Sequence, residues 1–189
     1  LGQTKTYRII SAGLWSSKYG QTGIWNASNT RVVAGGRGLT LAILQSDGSW
    51  ASTTYDVFGD AAARQALADA LTALTSTQYF VLFGDDSFEP GKTVWSAAAI
   101  ACGASQAAID KIGYRYGYIL IGRGALGAGN GTELVSDSGD NTNAWVERGI
   151  QVLGGVILDI SGNAGMVQGL QAASSAITSL TSRVTSAEG

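Results

Sequence analysis

The chain has 189 residues, 45% of them hydrophobic and 14% charged, which excludes disorder and supplies one sizeable core. Its formal charge is −2, with lysines and arginines scattered singly, so it lacks the electrostatic footprint of a nucleic-acid binder, and no apolar run approaches the roughly 18 residues a membrane-spanning helix needs. The absence of histidine removes Ser-His-Asp and Cys-His nucleophile systems, H-E-x-x-H motifs and most zinc sites.

Residues 5 to 58 read as short strands between turn signals: KTYRIISAG, TGIWNAS, TRVVAGG, GLTLAIL and SWASTTYDVF. The last two flank Asp47-Gly48, a hairpin signal. From Asp60 to Leu74 the period changes: Ala63, Leu67, Ala70, Leu71 and Leu74 share one helical face, and Asp60 stands where an N-cap belongs. The run YFVLF at 79–83 is apolar throughout and predicts a buried central strand. After the loop GDDSFEPGK, residues 94–101 and 106–112 predict short helices, and YGYILIG predicts another strand. Weaker strands around Leu134 and Trp145 lead to VLGGVILDI at 152–160, which closes the globular part. The expected class is α+β, with β-sandwich-like antiparallel sheets and two or three short helices in a β-rich domain over 1–162.

From Asn163 the composition shifts to Ala, Ser and Thr, and a heptad appears. Leu170, Ile177 and Val184 take position a, while Met166, Ala173 and Leu180 take position d, so every seam position is apolar. Such a helix, about 28 Å long and rich in Ser and Thr, would be marginal alone in water. A coiled-coil stalk beginning over 163–189 is therefore expected, because a helix folded back on the domain would carry a wider apolar stripe. Mixed β-branched and Leu/Ala layers leave the number of helices in the coil open.

Several stretches invite a chemical reading. YILIGRGALGAGN has glycines at 122, 124 and 127 in G-x-G-x-x-G spacing, but a dinucleotide loop must open a helix. The residues that follow carry breakers and no helical stripe, so a turn leaving a strand is expected. Asp85, Asp86 and Glu89 form the densest acidic group, and a carboxylate pair could serve glycoside hydrolysis. Their place between a strand and a helix makes helix capping the expected role. Cys102 is the sole cysteine, so no intrachain disulfide is possible, and its context AAIACGA predicts burial. Of the five tryptophans, Trp50 beside the hairpin turn and Trp145 in DNTNAWVERG are the ones expected at the surface. Exposed rings near Asn, Asp and Arg stack on sugars or anchor protein interfaces, so these two are candidate glycan or receptor contacts; partial burial under loops is the plainer reading. No catalytic residue, cofactor or metal is expected.

Taken in order, GGRGLTLAILQSDG, TTYDVFGDAAARQALADAL, YFVLFGDD and YGYILIGRGALG resemble the successive blocks of the ILEI/PANDER-like domain, also called the GG domain. Arg37-Gly38, Tyr55-Asp56, Asp85-Asp86 and Gly122 to Gly124 fill the family's motif positions, over a stretch from about residue 5 to 160. The resemblance implies two antiparallel sheets packed with short helices and no enzymatic activity; some relatives are secreted signalling proteins or sugar-binding modules. The secreted animal members are stapled by disulfides, and here the chain departs from them.

GLQAASSAITSLTSRVTSAEG is similar to the repeats of tail-tip host-specificity proteins (J-like) and central tail fibres of siphophages. Those proteins are trimers. This second resemblance implies a homotrimer in the virion tail, with other tail proteins and a host cell-surface receptor or glycan as partners. The chain opens on LGQTKTYRII without an initiator Met or signal-peptide layout and ends at TSAEG, so a soluble segment of a longer protein made in the bacterial cytoplasm is expected. A fibre-borne glycosidase and a stand-alone carbohydrate-binding domain are the alternatives.

Overall fold

In the computed structural model, which describes residues 3–158, the side-chain alternation of the longest strands sets the layers. The strands are β1 (Lys5–Gly13), β2 (Gly23–Asn26), β3 (Arg31–Ala34), β4 (Gly38–Leu44), β5 (Trp50–Tyr55), β6 (Tyr79–Asp86), β7 (Tyr118–Arg123), β8 (Thr132–Val135), β9 (Trp145–Leu153) and β10 (Val156–Ile157). Three helices, α1 (Ala61–Thr72), α2 (Lys92–Ala101) and α3 (Gln106–Lys111), complete an α+β fold.

All ten described strands belong to one hydrogen-bonded network. One half runs β5-β4-β6-β7-β8 and the other β3-β2-β1-β9-β10, each half antiparallel throughout. They join where Ala12 and Gly13 of β1 pair in parallel with Asp85 and Asp86 of β6. The expectation of purely antiparallel sheets is corrected here: the sheet is mixed. The join forms where β1 runs on past its pairing with β2 at Ile10 and β6 past its pairing with β7 at Phe83, so that the freed edges meet.

On β6, Phe80 and Leu82 face the helices and join Leu67, Leu71, Trp95 and Tyr118 in one core. Val81 and Phe83 face the other way, against Ile9, Ile24, Ile119 and Ile150, so the two sheet halves share a second core. This double burial explains why YFVLF is apolar at every position. Ser11, wholly buried, ties the junction together: its hydroxyl donates to the Gly84 carbonyl at 2.6 Å and accepts the Tyr118 N–H at 2.8 Å.

Local signals account for most boundaries. Asp60 accepts the Ala62 N–H as the N-cap of α1, and the turn before β5 closes through Asp47, which accepts from the Ser49 N–H at 2.8 Å, with Gly48 in the left-handed region. Lys92 Nζ donates to the carbonyls of Ile109 and Ile112, both at 2.8 Å, and so satisfies the last turn of α3. VLGGVILDI is not one strand. Gly154, at φ 58°, turns the chain back so that Val156 pairs with Leu153, and β9 instead extends from Trp145 along eight positions of β1. The whole seam, Met166, Leu170, Ala173, Ile177, Leu180 and Val184, lies outside the described residues, as does the boundary at 162/163.

Candidate functional site

Four segments converge beyond the last residues of β1 and β6: the β1–β2 loop at 14–22, Asp85–Asp86, the α3–β7 loop at 113–117, and the β8–β9 loop at 136–144. Backbone contacts draw them together. Gly13 N–H donates to the Ala144 carbonyl at 2.8 Å and Ser17 N–H to the Thr142 carbonyl at 3.0 Å. A Cβ at Gly13 would overlap the Arg115 carbonyl, and one at Gly139 would overlap that of Tyr114, so glycine permits both approaches. Ser136 Oγ accepts the Gly117 N–H and donates to the Ser138 carbonyl, fixing the two loops at the base.

Arg115 organises the surface. Its guanidinium donates to Asp140 at 2.7 Å, and its Nε, buried without a hydrogen-bond partner, sits 3.6 Å from Asp86 Oδ1. The Asp140 hydrogen bond holds Arg115 above the usual arginine range. The same guanidinium lies 4.6 Å from the Tyr114 ring centre and 5.5 Å from that of Trp15. Asp86, Arg115 and Asp140 all have φ between 54° and 60°, a left-handed backbone that side chains beyond glycine seldom adopt. Lys18 stands 5.4 Å over Trp145 at the margin.

Of the candidate rings, Trp50 and Trp145 are both half-buried; Trp50 packs edge-on against Tyr7 with ring centres 5.5 Å apart. For these two the plainer reading, partial burial, is the one the structure gives, and the tryptophan that stands out into solvent is instead Trp15, 61% exposed. Trp50 lies by the hairpin turn, at the opposite end of β1 from this cluster; Trp145 begins β9 and pairs with Ala12. Sequence reasoning passed over Trp15, Tyr114 and Arg115, although GLWSSKYG and GYRYG, each an aromatic and cationic run between glycines, carry the signal of projecting tight loops.

The acidic group is corrected too. Asp85 and Asp86 belong to β6, and α2 starts at Lys92 behind an N-cap, Gly91, that offers no side-chain hydrogen bond. Asp85 accepts the Thr22 hydroxyl at 2.9 Å, and burial pushes its carboxyl above the ordinary value. Glu89 lies apart, three residues beyond the strand, with Oε2 buried and without a hydrogen-bond partner. The glycine-rich stretch binds protein rather than phosphate: Gly127, Gly129 and Gly131 donate their N–H groups to the carbonyls of Ala101, Ala104 and Gly103, closing the end of α2. Gly122 and Gly124 are required because a Cβ would overlap the carbonyls of Cys102 and Leu74. Cys102 itself is buried.

No protein-family model matches the chain, and no curated protein matches it. Among the described residues no helix is long and apolar enough to cross a membrane, and no group of three or more acidic or cysteine residues is arranged to hold a metal.

Proposed function

We propose that this chain is a non-enzymatic structural and host-attachment segment of a phage tail fibre or tail-tip protein, trimeric through its heptad tract, with the described domain presenting a surface to a host cell-surface glycan or receptor. The observation that carries this reading is the separation of the domain's two ends. Lys5 pairs with Val152 and Val152 with Ile157, so the last described residues before the heptad tract lie beside the start of β1. Trp15, Tyr114 and Arg115 gather beyond Gly13, at the far end of a nine-residue strand about 26 Å long. A stalk at one end and exposed aromatic and polar groups at the other form the layout attachment requires.

The resemblance to the GG domain and to siphophage tail repeats supports the same reading, in which the protein is part of the virion tail among other tail proteins. For the rival, a glycosidase, the candidate carboxylates are poorly disposed: Asp85 is engaged by Thr22, Asp86 faces Arg115, and both sit in one strand end rather than across a cleft. Incubation of the full chain with surface polysaccharides from a panel of bacteria tests the assignment. Retention on at least one polysaccharide without release of reducing ends is expected; release of reducing ends would replace attachment with hydrolysis.

A further inference from the structure

Five large hydrophobic side chains stand exposed in the described domain: Trp15, Tyr19, Val32, Val94 and Tyr114. The three aromatic ones belong to the loop end around Arg115, while the two aliphatic ones lie on β3 and α2. Polar residues reach the same loops: Asp140 is bonded by Arg115, and the Thr142 carbonyl by Ser17, two residues after Trp15, with Thr142 and Asn143 both exposed. A protein-binding hot spot draws on aliphatic packing around its anchors, whereas a polyhydroxyl ligand needs flat rings for its C–H faces and hydrogen-bonding groups for its hydroxyls.

Charge narrows the ligand further. Three carboxylates, Asp85, Asp86 and Asp140, stand here with their cations already committed: Arg115 is held between Asp86 and Asp140, and the charge of Arg31 acts on Asp85. An anionic sugar would meet carboxylates and an arginine that is occupied. A neutral one would not.

We infer that Trp15 and Tyr114, clamped by Arg115, form a stacking platform for a neutral glycan, with Asp140, Thr142 and Asn143 placed to bond its hydroxyls. The inference rests on the attachment reading and supplies its ligand class and site. Arg115 is a positioning residue: held by its hydrogen bond to Asp140 and its ion pair with Asp86, it fixes the two rings.

The test is a glycan array carrying neutral and anionic oligosaccharides, probed with the fluorescently labelled full chain and with W15A, W15F, Y114A and W50A variants, each checked for native circular dichroism. Binding to neutral glycans is expected, weakened about tenfold or more by W15A and by Y114A. W15F, which keeps a ring, should lose far less, and W50A should bind as wild type. Binding confined to anionic glycans, binding that survives W15A and Y114A, or a chain that binds no glycan would each overturn the inference. The attachment reading fails separately: a trimer that binds no neutral glycan keeps the fibre and discards this platform, and a monomer that binds one does the reverse.

Discussion

Ser11 is a small polar residue buried where three strands meet, and its single hydroxyl serves both the Gly84 carbonyl and the Tyr118 N–H. Ser11→Ala leaves both groups unpaired in the interior, at a cost of about 1–3 kcal/mol. Urea unfolding should show this as a lower midpoint with an unchanged slope, and a midpoint equal to wild type would remove Ser11 from its joining role. Asp85 gives a prediction in pH. Its carboxyl is held above the ordinary value by burial, so the folded chain binds that proton more tightly than the unfolded one. Its contribution is therefore fully present below the ordinary carboxylate value of about 3.9 and is lost as pH rises through the raised one. Asp47, Asp56 and Asp137 are held low by Ser49, Arg37 and Lys111 and act in the opposite sense, so wild type must be compared with D85N. Asn keeps an oxygen for the Thr22 hydroxyl without the charge beside Asp86. D85N should melt higher than wild type near neutral pH, with the gap closing towards about pH 3.5; a gap independent of pH would contradict the assignment.

At the scale of elements, what could be read in advance was what local chemistry dictates. Asp60 announced α1, Asp47-Gly48 announced a hairpin, and the apolar run at 79–83 announced the central strand, because capping, turn conformation and double burial are properties of neighbouring residues. The parallel join between β1 and β6 was not legible, since nothing in SAG or GDD signals which distant strand will pair. Nor was the turn inside VLGGVILDI, where a glycine pair was overridden by the apolar residues on either side. The site was missed for a related reason: a tryptophan's exposure depends on which loops cover it, and the loops over Trp15 are set by contacts more than a hundred residues away in sequence. Helix α3 supplies an element-scale prediction. It has only six residues, too few to persist alone, and its terminal carbonyls depend on Lys92. Lys92→Met should raise hydrogen exchange in Gln106–Lys111 well above that of β6 and β7; exchange that rises uniformly, or not at all, would show that α3 does not rely on this side chain.

For the whole molecule, the central claim is that a domain with its aromatic platform at one end is carried on a trimeric stalk that begins at the other. The fold of the described residues makes the two ends distinct, and the heptad pattern from Met166 to Val184 is the seam proposed for the stalk. A measurement of solution mass by light scattering after gel filtration, over a concentration series, tests this most directly. The 19.4 kDa chain should elute with about three times its own mass, and a chain with Ile177→Lys and Leu180→Lys, charges placed in the seam, should fall to one. A monomer at every concentration, or a trimer indifferent to those two substitutions, would contradict the account.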